Sequence, residues 1–326
     1  MATILEGLTQ ALSSSVTQDI GKAVGLQPDL VSKGMAVIGP LITTALAQKA
    51  STAGGLADIM KALPKDDSSS ILGNLAGLVK SGAGTSVLSS IFGGGSSAVG
   101  TSLNRVLGFN ASSLLNIAAP LVLGYLGKIA REKKLDGAGV ANLLATEASD
   151  FEKSGSPSVR VVREAVDTGR KADDTKAKFS SVQWESVRMA PVAAAHVVMM
   201  ADKSGPIGAA KEISAAAGVI ADVRKQASPT SVLSLAFETE LSADELVKYA
   251  KGKSSADAIA MVREAIELVD RNSPADGPNF RQLVSDVANK VANASNEGGI
   301  LGIGGTLVSE SEQKALDQIN SVTGRR

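Results

Sequence analysis

Apolar residues in this chain recur at the interval of a helix. Val16, Ile20 and Val24 stand four apart, which places their side chains on one face of an α-helix. Ile259, Val262, Ile266 and Val269 share a face within Ala256–Val269 and predict an amphipathic helix there. Two runs, Met35–Ala47 and Leu114–Gly127, are apolar with no clear polar face, and each has an internal proline, Pro40 or Pro120. Both are shorter than the roughly 20 residues that cross a bilayer, so they read as buried core helices. Alternation of β-branched residues is nearly absent, which predicts no strands. Ser242-x-x-Glu245 and Ser309-x-x-Glu312 fit the capping box, in which the Ser oxygen accepts from a free backbone N–H and the Glu reaches back.

The first half repeats itself. At an offset of 83, Ile4, Leu5 and Leu8 fall on Val87, Leu88 and Ile91, and Gly25-Leu26 falls on Gly108-Phe109. After a three-residue gap Pro40-Leu41-Ile42 falls on Pro120-Leu121-Val122, and at an offset of 84 Leu56, Ile59 and Met60 fall on Val140, Leu143 and Leu144. Each unit reads as helix, glycine, helix with internal proline, Gly-rich turn, short helix. A weaker echo pairs Trp184-x-x-Val187 with Phe280-x-x-Leu283. The expected architecture is all-α in two helical halves. Residues 1–152 form an internally duplicated unit (copies about 1–66 and 84–150), and 158–326 form a second helical domain. Ser154-Gly155-Ser156-Pro157 is the linker candidate.

Charge and composition exclude function classes. Residues 1–150 carry 11 basic and 10 acidic side chains, the remainder 22 and 23. Neither half has the basic excess of a nucleic-acid module or a basic membrane-binding face. There is no Cys and one His, so thiolate zinc sites, disulfides, cysteine nucleophiles and histidine cages are excluded. Aromatics at 3% are too few for stacking platforms. The opening MATILEGLTQALSSS lacks a basic segment and is interrupted by Glu6, which predicts a cytoplasmic protein rather than a secreted one.

Candidate sites are sparse. His196 lies in the apolar PVAAAHVVMM and reads as a core histidine bonded to a backbone or side-chain partner. Asp202 and Ser204 precede Gly205-Pro206, a helix end followed by a Pro-initiated helix rather than a cation loop. Gly298–Gly305, GGILGIGG, lacks the strand before a phosphate loop, and Gly252-Lys253-Ser254 has Val247 where a P-loop needs glycine. Asp66-Asp67 and Asp173-Asp174 read as solvated loop carboxylates. Gly93, Gly94 and Gly95 open GGGSSAVG, read equally as an ordinary loop or as an interaction loop that lets backbones approach closely.

Phe92-Gly93-Gly94-Gly95, Gly108-Phe109, Ala119-Pro120-Leu121 and Gly137-Ala138-Gly139 together resemble the bacterial YidB-like domain of unknown function. The clearer copy is the second, and residues 1–66 lack the FGGG element. The resemblance carries over no catalytic residue. Asp202-x-Ser204-Gly205 and GGILGIGGTLVSESE give the C-terminal half a fainter similarity to the tellurite-resistance TerB-like helical modules. The expected function is non-enzymatic: a bacterial structural or scaffold protein that forms homo-oligomers through small-residue helix faces and Gly-rich loops. No cofactor, metal or nucleic acid is expected, and membrane contact is not. The alternative is a helical module binding a small molecule or lipid.

Overall fold

Helix starts are written locally in the sequence. Thr3 Oγ accepts the Glu6 N–H and the Glu6 carboxylate accepts the Thr3 N–H, both at 3.0 Å, and Ser309 with Glu312 forms the reciprocal pair read from the sequence. A further box, Ser254 with Asp257, starts the helix that the Ile259 periodicity predicts. The computed structural model describes residues 3–64, 82–201, 206–239, 253–294 and 308–324, with 245 and 249 between them. Among these residues regular structure is helical and no strand occurs, as expected for an all-α chain. The helices are α1 Ile4–Ala11, α2 Ser14–Val24, α3 Pro28–Ala50, α4 Ala53–Ala62, α5 Ala83–Phe92, α6 Ser96–Leu107, α7 Ser112–Glu132 and α8 Gly137–Lys153. They continue as α9 Ser158–Ala177, α10 Ser181–Ala201, α11 Pro206–Gln226, α12 Val232–Ala236, α13 Ser255–Asn272, α14 Gly277–Ala294 and α15 Glu310–Thr323.

The chain forms two compact units, Met1–Asp173 and Asp174–Arg326. The division falls inside α9, beyond the Ser154–Pro157 turn that separates α8 from α9. Val162, Ala165 and Val166 of α9 belong to the first core, so apolar burial carries the first unit past the turn.

In the first unit α3 and α7 are the central helices. α3 packs on α8, α7 and α2, and α7 packs on α5, α3 and α1. Ile38, Leu41, Ile42, Leu114, Leu121 and Val122 are fully enclosed. Gly34 lets the two helices close up, since a Cβ there would stand 2.5 Å from Leu114 Cδ1. A mid-helix proline removes the donor for the carbonyl four residues back. For Pro40 that carbonyl belongs to Ala36, which is exposed to water. For Pro120 it belongs to Asn116, whose carbonyl is met by α5 at Gly84. α3 and α7 reach 23 and 21 residues, long and apolar enough to cross a membrane by length and composition, and 67% and 78% of their apolar windows are buried in this fold. The apolar runs read from sequence are thus extended by helical ends that length reasoning did not count.

In the second unit α10 is the buried helix. Val187 and the stretch Met189–Val198 are enclosed, with α13, α14 and α15 packed around it and α11 on α14. α13 buries Val262, Ile266 and Val269 of the face that the sequence predicts, with Ile259 half-buried.

Two glycine substitutions test this packing. A Cβ on Gly84 would overlap the Asn116 carbonyl, so Gly84→Ala is expected to lower stability by about 1–3 kcal/mol. Gly54 in α4 meets nothing within 4 Å, so Gly54→Ala is expected to raise it by about 0.4–1 kcal/mol. Urea denaturation measures both, and equal effects would contradict the packing described.

Candidate functional site

The FGGG segment ends α5 at Phe92 and turns through a 3-10 element, Gly93–Gly95, into α6. Gly93 adopts φ +58° and ψ −136°, a backbone conformation that side-chain-bearing residues rarely reach. The Gly94 N–H donates to Asp173 Oδ1 at 2.6 Å. A Cβ on Gly95 would overlap the Gly169 carbonyl, and one on Gly169 would stand 2.7 Å from Val99 Cγ2 and 3.1 Å from Phe92 Cδ1. Glycine is therefore required on both sides of this contact. The turn makes a close backbone approach within the chain, against α9. Asp173, read as a solvated loop carboxylate, is exposed but lies in a helix rather than a loop and accepts a backbone N–H, which corrects the loop part of that expectation. An open groove of about 650 Å³ runs beside the turn, with Lys49, Ser89, Ser90, Arg170 and Asp173 among its lining. Its charges are matched locally: Lys49 with Asp58 at 3.3 Å and Arg170 with Asp167 at 2.7 Å.

A second polar feature escapes the sequence reading. Glu147 of α8 is 5% exposed. Its Oε1 accepts the Ile4 N–H at 2.6 Å and its Oε2 the Leu5 N–H at 3.3 Å. It thereby satisfies donors that a helix leaves open at its start. Burial pushes the carboxyl above the usual glutamate range. The two N–H bonds pull it down, Glu6 nearby raises it and Lys133 lowers it. One signal was available: at the offset of 84, position 147 falls on Leu63, a charge where the other copy is apolar.

His196 is 8% exposed on α10 and its Nε2–H donates to the Lys253 carbonyl at 3.1 Å, the core role read from the sequence. The Tyr249 ring stands edge-on to it, centroids 6.0 Å apart. Burial, and then the charge of Asp257, push the Tyr249 hydroxyl up to about 12. That hydroxyl and the Thr44 hydroxyl are buried with no hydrogen-bond partner among the described residues. No group of three His, Asp or Glu side chains is arranged for a metal ion among the described residues. Asp66-Asp67, Asp202 with Ser204 and Gly205, Ser242, Gly252 and Gly298–Gly305 lie outside the described residues.

Glu147 gives a pH dependence of definite sign. A carboxyl raised in the folded state binds its proton more tightly there than when unfolded, so its contribution to stability is greatest below the ordinary glutamate value and is lost as pH rises through the raised one. Asp167 and Asp257, held low mainly by hydrogen bonds from Lys171 and from Ser254, act in the opposite sense at the exposed surface. Wild type minus Glu147→Gln isolates the first effect. Between about pH 4 and 7, the difference in melting temperature is expected to move steadily in favour of the variant, and a flat difference would show that the carboxylate is not burdened. Gly95→Ala is expected to cost about 1–3 kcal/mol through overlap with the α9 backbone, measured by denaturation, whereas an open loop would tolerate it.

With this geometry in place, comparison with known proteins adds one finding. Residues 6–129 match the model of a family described as "Bacterial protein of unknown function (DUF937)". No curated protein and no solved structure matches, so the TerB-like similarity of the C-terminal half has no counterpart there. The match covers most of the first candidate copy and the second as far as residue 129, and agrees with the YidB-like resemblance read from the glycine and proline motifs. Over residues 6–129, the first unit is similar to this bacterial family.

Proposed function

We propose that this protein is a non-enzymatic cytoplasmic scaffold that associates with copies of itself. The observation that carries the reading is an open apolar groove in each unit. In the first, Met60 is 37% exposed beside Leu63, Ala130 and Leu135, in a groove of about 560 Å³. In the second, Val182 is 74% exposed beside Met189 and Met261. Large apolar side chains gathered in open grooves are what an association surface presents. The titratable groups that would otherwise attract a catalytic reading have structural employment: Glu147 holds α1, His196 a carbonyl, and Asp173 the Gly94 N–H. Since the Gly93–Gly95 turn faces α9 of its own chain, we assign contact between copies to the grooves.

We further propose that the first unit arose by duplication, which would supply repeated surfaces. Two observations support this. Gly34 and Leu114, equivalent with the three-residue gap placed before Gly34, touch one another, as residues near a pseudo-two-fold axis do. Gly7 lies on Tyr125, and the equivalent positions, Ser90 and Ala45, line one groove.

Light scattering on the size-exclusion peak tests association. A mass above the monomer at micromolar concentration is expected, falling in Val182→Asp or Met60→Asp. A monomer whose native mass spectrum carries a bound small molecule would replace this reading with the ligand-binding one.

A further inference from the structure

We infer that the face of α3, α7 and α8 that holds α1 is a helix-receiving site, and that the Ile4–Ala11 helix of a second copy of this chain fills it by exchange. The inference rests on the self-association proposed above and adds to its groove contacts an exchange of α1. The seat is shaped for this helix by three independent features. Glu147 reads its start, accepting the N–H groups of Ile4 and Leu5. The core takes an apolar pair one turn apart, Ile4 and Leu8, both buried. Gly39 makes the room, since a Cβ there would stand 2.9 Å from Leu8 Cδ2 and 3.5 Å from Leu5 Cδ2. Small size is read at the remaining contact, where a Cβ on Gly7 stands 2.9 Å from the Tyr125 ring. This is recognition of an amphipathic helix in a groove, with anchors at i and i+4 and a required small residue between them.

The same features make the helix separable. α1 buries two side chains among its eight residues, whereas α3 buries a continuous stretch from Val37 to Leu46. Its seat also encloses a carboxylate that burial disfavours. Elements held by few buried contacts open at lower cost than the core. Leu12 and Ser13 join α1 to α2, with Ser13 already capping α2, so the hinge is confined to this pair. A helix supplied by a second copy makes every contact again and needs no new surface. Reciprocal exchange closes into a two-fold dimer.

The test titrates full-length protein with an N-acetylated peptide of residues 3–13, followed by anisotropy and light scattering. The peptide is expected to bind and to lower the mass of the oligomer. A Gly7→Leu peptide is expected to bind at least tenfold more weakly, because Tyr125 excludes it. Full-length Leu8→Asp, whose own α1 no longer competes, is expected to bind the peptide at least tenfold more tightly than wild type, and equal affinity would overturn the site. An oligomer whose mass is unchanged at high peptide concentration removes this contact and leaves self-association standing. A protein that is monomeric throughout overturns both. Should Leu8→Asp fail to fold, the wild-type titration still decides.

Discussion

The close crossing of α3 and α7 at Gly34 is the constraint from which the first unit is built. Two helices with apolar residues around most of their circumference must bury surface on several sides at once. They do so by approaching each other where no side chain intervenes and by taking α1, α5 and α8 against their remaining faces. The buried prolines leave two carbonyls without a helical donor, one on the exposed residue Ala36 and one on Asn116, whose oxygen lies against α5 at Gly84. A buried orphan carbonyl would cost as much as a lost hydrogen bond. Small residues thus act twice, as the space through which helices meet and as the places where backbone comes against backbone.

The FGGG turn applies the same rule at the edge of the core. Gly95 and Gly169 bring a turn and a helix into backbone contact, and Asp173 accepts the N–H that the turn leaves open. A loop that composition alone presents as a free interaction element is consumed in holding α9. Among the described residues the exposed large apolar side chains, Met60, Val106, Val182 and Met200, all lie on helices. Association through helix faces therefore agrees better with this structure than association through glycine loops.

Buried ionisable groups here serve position. Glu147 completes the start of α1 and His196 ties α10 to the Lys253 carbonyl. Each is desolvated and held by backbone partners, the arrangement expected when a polar group must be satisfied in a core. For Glu147 the bonds to α1 do not cancel the burial of its charge. α1 is therefore held in part by a carboxylate whose charge burial disfavours.

What the sequence determined by itself is helical class and local starts and stops. Helical spacing and capping are set by residues within four positions of one another, so Val16–Ile20–Val24, the Ser309–Glu312 box and the αL glycines Gly25 and Gly108 were legible without a fold. The glycine and proline motifs also carried the family resemblance, since they mark conformations that few residues adopt. Tertiary structure alone decided the rest. The unit boundary moved into α9 because Val162, Ala165 and Val166 found an apolar core that no local pattern announces. Glu147 acquired its role from residues 142 and 143 positions away, and Gly93–Gly95 from Asp173 and Gly169. Such contacts depend on which surfaces meet in space, and one chain's residue pattern records only which surfaces are available.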